Sequence, residues 1–378
     1  MPPRSADGFV GEGAEANAQG DGMTSGLTLS IDAMGGDHAP DAILKGVDLF
    51  AHENPGARFI LHGDQAALDR LLAGLPDAAS ASEVRHTAEI VPMDAKPSQA
   101  MRKKGTSMWN AIASVKAGEA AAVVSAGNTG ALMAVAHLQL RTMEGLHRPA
   151  ITASWPTPKG HCVVLDVGAN VDSDPNQLVD FAIMGEAFAK ALYGLDRPKI
   201  GLLNVGSEEV KGHDDIREAM RLLRLYGATL DLDVHGFVEG NDISMGKTDV
   251  VVTDGFTGNI ALKTAEGAAR LVGAFLKEAL TSSPLAMAGA LLASSGLKKL
   301  KARMDPSNSN GGVFLGLNGL VIKSHGGTDA RGFANAMAVG ARLASSSYMT
   351  QVADNLLRLS AVRAAAQSSA PSPVVEAE

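Results

Sequence analysis

Short apolar segments alternate with longer amphipathic ones along most of the chain, and this alternation predicts a parallel sheet covered by helices. The clearest predicted strands are residues 27–32, 58–63, 121–127, 162–168, 199–206 and 249–255. Helical periodicity is clearest at residues 176–193, 214–226 and 256–280. One apolar stripe of the last helix is formed by Ala268, Val272, Phe275 and Leu276. Such a stripe predicts a helix face that packs on other apolar groups.

Polar residues and glycines follow the predicted strands as DAMGGD, SAGNTGA, DVGAN, NVGSEEVKG and TDGFTGN. These residue types are common in any strand-to-helix turn, because they adopt positive φ or cap a helix. Five such turns nevertheless favour one shared crevice, since open α/β sheets bind ligands at the carboxyl ends of their strands. Free N–H groups at the helix starts would suit that crevice to phosphate.

The two ends of the chain are rich in small and polar residues, and we expect residues 1–26 and 363–378 to be disordered. The folded domain is expected at 27–362. Within it, the segment 282–305 is a candidate membrane or dimer segment. The first residues contain no apolar stretch typical of a signal peptide, and Met23 is an alternative start. The sequence has no run of about 18 apolar residues that would predict a membrane-spanning helix.

The amino-acid composition argues against several classes of function. The chain has 378 residues, of which 46% are hydrophobic, so it is long enough for a sizeable core. A formal net charge of -8 gives no summed positive field, and nucleic acid is not an expected partner. The single cysteine, Cys162, excludes an internal disulfide, and no Cys or His spacing of a metal site occurs. We therefore expect a reducing, cytoplasmic compartment and neither a metal nor a cofactor.

Eight segments, in their order along the chain, resemble the phosphate acyltransferase family of bacterial phospholipid synthesis. They are IDAMGGDHAP from Ile31, KPSQAMRKKGTSMW from Lys96, VVSAGNTGALMA from Val123, LDVGAN from Leu165, LLNVGSEEVKG from Leu202, GFVEGNDI from Gly236, VVTDGFTGNIALKTAEG from Val251 and GLVIKSHGGTDARGFANA from Gly319. The resemblance implies a doubly wound, three-layer α/β/α fold with a mostly parallel sheet, akin to isopropylmalate dehydrogenases and phosphate acetyltransferases. It also implies a homodimer that associates peripherally with the inner face of the cell membrane.

The activity that this resemblance implies is transfer of a long-chain acyl group from acyl carrier protein to inorganic phosphate. The acyl phosphate product would be passed to a membrane acyltransferase of phospholipid synthesis. Two alternatives stay open: a related enzyme that uses a coenzyme A thioester, and a non-enzymatic scaffold of lipid synthesis. A NAD-dependent dehydrogenase is disfavoured, because the GEGAEA motif at Gly11 follows no predicted strand.

Attack of phosphate on a thioester needs a clamp for the phosphate and donors for the developing oxyanion, rather than a catalytic triad. The candidate catalytic residues are Asn128, Lys211, Lys263 and His325. The candidate substrate-binding residues are Asp32, Gly35, Gly36, Thr129, Gly130, Asn170, Asn204, Asp254, Gly255, Gly258 and Asn259. A helix cap at Asn128, a surface ion pair at Lys263 and a structural hydrogen bond at His325 are the alternatives. We expect Asp32 to orient basic side chains rather than to bind a metal.

Two basic segments are candidate interaction surfaces. Arg102, Lys103 and Lys104 could dock an acidic acyl carrier protein, although a run of charges is often only a solvated face. In the segment 282–305 one helical face is formed by Leu297, Leu300 and Met304. Basic residues crowd the other faces: Lys298, Lys299, Lys301 and Arg303. Such a helix can lie in a membrane interface or pack on a partner subunit.

Overall fold

The computed structural model describes residues 26–304 and 310–368, and these residues form two compact units. The first unit contains the chain up to Arg141 and again Leu262–Ser346, and the second contains Thr142–Ala261 and the chain from Ser347 onward. The predicted extension at 1–26 lies outside the described residues except for Gly26. Helical backbone continues to residue 368, past the expected domain end at 362, and the rest of the predicted tail lies outside the description.

Eleven strands are described. In chain order they are β1 (Thr28–Asp32), β2 (Arg58–Gly63), β3 (Ser82–His86), β4 (Ala122–Ser125), β5 (Ala150–Thr157), β6 (Gly160–Leu165), β7 (Lys199–Leu203), β8 (Asp233–Val238), β9 (Val250–Val252), β10 (Gly312–Leu315) and β11 (Leu320–Lys323). The six predicted strands are confirmed as β1, β2, β4, β6, β7 and β9. The other five were not singled out by the apolar pattern.

The described helices surround these strands. In chain order they are α1 (Asp41–Glu53), α2 (Gln65–Leu72), α3 (Pro76–Ala81), α4 (Pro97–Ala100), α5 (Ser107–Lys116), α6 (Thr129–Leu140), α7 (Pro175–Tyr193), α8 (Asp214–Leu230), α9 (Gly240–Met245), α10 (Gly255–Thr281), α11 (Pro284–Leu292), α12 (Ser294–Met304), α13 (Ala330–Ala344) and α14 (Tyr348–Ser368). The three predicted helices are confirmed as α7, α8 and α10, with ends shifted by a few residues.

The strands of the first unit are ordered β3-β2-β1-β4-β11-β10, and all neighbours are parallel except β10 and β11. Their apolar side chains are buried, for example Ile31, Val124 and Ile322. Because these strands run in the same direction, the loops after β1, β4 and β11 leave the sheet at one edge. This edge carries the DAMGGD, SAGNTGA and KSHGG segments.

The strands of the second unit are ordered β5-β6-β9-β7-β8, with an antiparallel pair formed by β5 and β6. Helix α7 is nearly all buried, and α14 packs against α7 and α8. The DVGAN, NVGSEEVKG and TDGFTGN segments follow β6, β7 and β9. Since β6, β9 and β7 are parallel neighbours, these segments share one edge of the sheet.

The apolar stripe predicted on α10 is not covered as expected. The side chains of Val272 and Phe275 are 55% and 61% exposed, and no residue of α11 is buried. Helical periodicity identified the apolar face correctly, but the described part of this chain supplies nothing that packs on it. No helix among the described residues has the length and apolar character needed to cross a membrane.

Candidate active site

Three loops at the sheet edge of the first unit pack tightly against one another. A Cβ atom on Gly35 would lie 2.5 Å from Asp32 Oδ2 and 2.8 Å from the Gly127 nitrogen. Gly36 has a φ of +111°, and a Cβ there would lie 2.9 Å from the Ala126 side chain. These positions need glycine because larger residues would push the first loop away from the second. The two predicted glycines therefore shape the site.

The turn after β4 is held from two sides. Ser125 donates a hydrogen bond to Asp32 Oδ2 at 2.7 Å, and the Gly127 N–H donates to the Ser125 hydroxyl at 3.0 Å. Asn128 caps α6, because its Oδ1 accepts from the Ala131 N–H at 2.8 Å. Its Nδ2 donates to the Met93 carbonyl at 2.6 Å. The side chain of Asn128 is thus occupied by the cap and by the segment before α4.

Backbone donors remain free at the start of α6. In the part of the chain that the structure describes, the N–H groups of Asn128, Thr129 and Gly130 have no acceptor. Such groups carry the partial positive charge of a helix N-terminus, and α6 has 12 residues. Three adjacent free donors therefore give this turn the character of an anion-binding site.

A buried acid and a buried lysine lie behind the turn. Burial raises the pKa of Asp32 above its usual value, although hydrogen bonds from Ser107 and Ser125 and the charge of Lys323 oppose the rise. Burial lowers the pKa of Lys323 to about 8, against the opposing charges of Asp32 and Asp37. Lys323 is not among the site residues predicted from the sequence. The available signal was a lysine that ends an apolar strand immediately before a glycine-rich turn.

His325 follows on the same loop, and its backbone N–H donates a hydrogen bond to Asn310 Oδ1 at 3.0 Å. Although the His325 side chain reaches solvent, nearby protein removes enough hydration to lower its pKa below the usual value. Glu266 opposes this shift, while Lys323 and Lys263 add to it. The structure therefore places two predicted catalytic residues, His325 and Lys263, in one charged neighbourhood of the first unit.

The predicted residues of the second unit are engaged by neighbouring groups. Asp166 is buried and accepts hydrogen bonds from the backbone N–H groups of Ile151, Ala169 and Asn170. The side-chain amide of Asn170 donates to Asp166 and to the Pro149 carbonyl at 2.9 and 2.8 Å. Burial raises the pKa of Asp166, and these hydrogen bonds oppose the rise. Asn170 thus organises its own loop.

The first turn of α10 rests directly on this loop. Any Cβ atom on Gly255 or Gly258 would overlap the carbonyl oxygens of Asn170 or Asp166, respectively. Asp254 caps the helix through the N–H and hydroxyl of Thr257, both at 2.8 Å. The side chain of Asn259 lies over Gly168, 3.6 Å from the position of a Cβ there. Glycine and aspartate in this segment are explained by packing and capping.

The loop after β7 is closed on itself. Asn204 Oδ1 accepts from the Val205 N–H at 2.9 Å, and its Nδ2 donates to the Lys211 carbonyl at 3.1 Å. Lys211 forms an ion pair with Glu208 at 2.8 Å, and this partner raises the pKa of the lysine. Lys211 remains half exposed and charged, so a competing anion could draw it from Glu208 at small cost.

The predicted docking residues lie on the surface of the first unit. Lys103 pairs with Glu89 at 2.5 Å. Arg102 and Lys104 are exposed, and neither forms an ion pair within the ranges that the structure describes. A cavity of about 520 Å³ lies elsewhere on this unit, and it is lined by His38, Ala39, Asp41, Ala42, Lys45, Asp329 and Ala330. The carboxylates of Asp41 and Asp329 face this cavity together with Lys45 and His38.

Residues 26–304 and 310–368 contain no group of three or more His, Cys, Asp or Glu side chains that could hold a metal ion. Cys162 is buried, and burial raises the pKa of its thiol to about 12, so the thiolate needed by a nucleophile is scarce.

Comparison with known proteins identifies the family of this chain. The profile of the family described as fatty acid synthesis protein matches residues 27–351. The chain belongs to this family. A protein of Caulobacter vibrioides named phosphate acyltransferase is 58% identical over 92% of this chain and 96% of its own length. A protein of the same name from Maricaulis maris is 56% identical, over 88% of this chain and 96% of its own length.

Solved structures support the fold of this fatty acid synthesis family member. A phosphotransacetylase from Streptococcus pyogenes superposes with a TM-score of 0.60 at 17% identity, covering 89% of this chain and 99% of that one. The EutD phosphotransacetylase from Staphylococcus aureus has a TM-score of 0.58 at 16% identity, covering 85% and 96%. The expected phosphate acetyltransferase-like α/β fold and the family resemblance are confirmed. The chain is accordingly an acyl-transferring enzyme of lipid synthesis.

Proposed function

We propose that this family member transfers a long-chain acyl group from acyl carrier protein to inorganic phosphate, giving acyl phosphate. The observation that carries the proposal is the set of three free N–H groups at Asn128, Thr129 and Gly130. A dianionic phosphate can accept from adjacent donors at a helix start without burying an unpaired charge. The name of the two relatives reported above, phosphate acyltransferase, supports the choice of acceptor.

The proposed reaction is a direct displacement. A phosphate oxygen attacks the thioester carbonyl carbon, a carbon–oxygen bond forms, the carbon–sulfur bond breaks, and the thiolate of the carrier's prosthetic arm leaves. A thiol pKa of about 8.5 makes that thiolate a good leaving group near neutral pH. Holding phosphate in line at the start of α6 supplies the effective concentration that the reaction requires.

Cationic side chains would assist this displacement. We assign Lys263 to charge stabilisation of the bound phosphate. His325, which its lowered pKa keeps mostly neutral near pH 7, is assigned a hydrogen bond from its ring N–H to the leaving thiolate. In the second unit, Lys211 stays a predicted catalytic residue and Asn259 a predicted substrate-binding residue, and neither side chain is buried. Asn170, Asn204, Asp254, Gly255 and Gly258 would act by holding loops rather than by touching substrate, in keeping with their internal contacts.

The test is a turnover assay with purified full-length protein, palmitoyl carrier protein and radiolabelled phosphate. A hydroxylamine-labile, labelled product would support the proposal, and palmitoyl coenzyme A in a parallel reaction would identify the preferred thioester. Activity with coenzyme A alone would favour the related coenzyme A-dependent enzyme. Binding of the carrier protein without any acyl phosphate would favour the scaffold and contradict the proposed reaction.

For the surfaces, we propose that Arg102 and Lys104 dock the acidic carrier protein. We further propose that α10, α11 and α12 contact a second copy of the chain or the inner face of the membrane. Leu285 and Leu292 on α11 are 84% and 89% exposed, which favours a covered state in the working protein. Light scattering and pelleting with anionic vesicles would compare the parent with a Leu285→Glu/Leu292→Glu variant. A monomeric parent that leaves vesicles unbound would contradict both contacts.

A further inference from the structure

One row of polar side chains crosses the sheet edge of the first unit beneath the proposed phosphate site. Asp32 on β1 is in register with His62 on β2 and with Ser125 on β4, and Ser125 is in register with Lys323 on β11. All four side chains are buried. Residues paired in register point to the same face of a sheet, so the row forms one buried polar layer.

Lys323 stands out within this layer. Among the described side chains it is the only buried lysine. Removing an ammonium group from water is costly unless it is paired and hydrogen-bonded, so a buried lysine needs a compensating role. The neighbouring strand residues Val321 and Ile322 are apolar and buried, so the charge of Lys323 is matched across the sheet, by Asp32, rather than along its own strand.

The ammonium group of Lys323 connects two of the site loops. Its Nζ donates to the Ala126 carbonyl at 3.4 Å and to the Ser324 carbonyl. Ala126 lies in the turn that presents the free N–H groups of α6, and Ser324 begins the loop that carries His325. The titratable groups that act on Lys323 are Asp32 and Asp37, and His325 is influenced by it in turn.

We propose that Lys323 is a positioning residue that fixes the turn 125–130 in the shape that receives phosphate. This inference rests on the proposed function of the same turn. The ammonium group balances the buried carboxylate of Asp32, which in turn accepts from Ser125, while its N–H groups hold the Ala126 carbonyl. Loss of the charge leaves the Asp32 carboxylate without its cation and weakens the hydrogen bond to the Ala126 carbonyl, so the three N–H donors of α6 are less well preorganised.

The proposal predicts a specific kinetic signature. Lys323→Met keeps the length and apolar stem of the side chain but removes the charge. We expect the KM for phosphate to rise at least tenfold, with less than a threefold change in kcat at saturating phosphate and an unchanged KM for the acyl donor. Lys323→Arg, which retains a cation, should recover part of the loss. Lys116→Met, at an exposed lysine at the end of α5, is the matched control.

A pH profile separates positioning from a general loss of stability. Above pH 8 phosphate is already a dianion, so the substrate itself adds no further titration there. In the parent, the KM for phosphate should rise at least fivefold from pH 8 to pH 9.5 as Lys323 loses its proton. In Lys323→Met this rise should be absent. A folded Lys323→Met protein with the parent's KM, or a parent KM that stays flat over this range, would overturn the proposal.

Direct binding keeps this inference distinguishable from the proposed function. Phosphate binding is measured by calorimetry on the parent and on Lys323→Met without any acyl donor. Weaker binding in the variant, together with no acyl transfer by the parent, would refute the proposed reaction but leave the positioning role standing. Equal binding in both proteins alongside normal turnover by the parent would refute the positioning role alone. If Lys323→Met does not fold, the parent's pH profile and Lys323→Arg decide.

Discussion

His62 gives a quantitative test of the buried polar layer. The side chain is 2% exposed, its Nε2 lies 3.2 Å from the Ser114 hydroxyl, and its Nδ1 has no partner among the described residues. Burial, aided by the charge of Arg85, lowers the pKa of His62 from 6.5 to about 4, although Glu119 and Glu83 oppose this. The folded protein therefore resists protonation at a site where the unfolded chain accepts it.

The sign of the effect on stability follows from this difference. Well above pH 6.5, His62 is neutral in both the folded and the unfolded state. Its contribution to the free energy of unfolding is then fully present. As the pH falls towards 4 the unfolded state takes up the proton first, so stability is lost. A pKa lowered to about 4 corresponds to a loss of ~3 kcal/mol between pH 8 and pH 4. His62→Gln removes the titrating group. Between pH 8 and pH 4, the free energy of unfolding of the parent should therefore fall by this amount more than that of the variant.

The assay is urea unfolding at pH 8, 6, 5 and 4. The chain has two tryptophans, Trp109 in the first unit and Trp155 in the second. In a Trp155→Phe background the fluorescence of Trp109 reports unfolding of the unit that contains His62. His213→Gln, at an exposed position before α8, controls for the change of residue type. If the difference in unfolding free energy between the parent and His62→Gln stays constant within about 1 kcal/mol over this pH range, the reasoning is refuted.

Three further predictions concern the site loops. Asn128→Ala should lower acyl phosphate formation at least tenfold in the turnover assay. It should also destabilise the protein by about 1 kcal/mol, because the cap of α6 is lost. Unchanged turnover would contradict the placement of the active site at this turn. Gly258→Ala should destabilise by about 1–3 kcal/mol or more in urea unfolding, since its new methyl group meets backbone. Gly267→Ala in the same helix has open space around it and should be neutral or stabilising. Arg102→Ala/Lys104→Ala should raise the KM for the carrier protein at low salt and remove its salt dependence; a parent KM independent of salt would argue against docking there.

The sequence predicted the strands whose apolar runs end in polar turns, because burial on both faces leaves an uninterrupted pattern. β10 and β11 are short and antiparallel, and their apolar residues alone did not mark them as strands. The apolar stripe of α10 was identified correctly, yet periodicity cannot specify what covers a helix face. Whether a short apolar segment forms a strand, or a helix face is covered, depends on long-range packing rather than on the local pattern.

The roles of individual site residues were harder to predict. Asn170 and Asp254 have the composition of ligand-binding turns, but the structure uses them for a loop network and a helix cap. A single sequence cannot distinguish these uses, since the same oxygen that accepts from a backbone N–H could also face a ligand. Lys323 was missed for the opposite reason: its burial depends on the register of β11 with β4, which only the fold reveals.

The hydrogen bond from Asn128 to the Met93 carbonyl has a consequence for divergence within the family. Because the bond is made to backbone, the segment preceding α4 can exchange its side chains without disturbing the turn that it covers. Ile90 and Met93 in this segment are exposed. We therefore expect the proposed phosphate-binding turn to tolerate substitutions at Ile90 and Met93, because the acceptor of the Asn128 side chain is backbone.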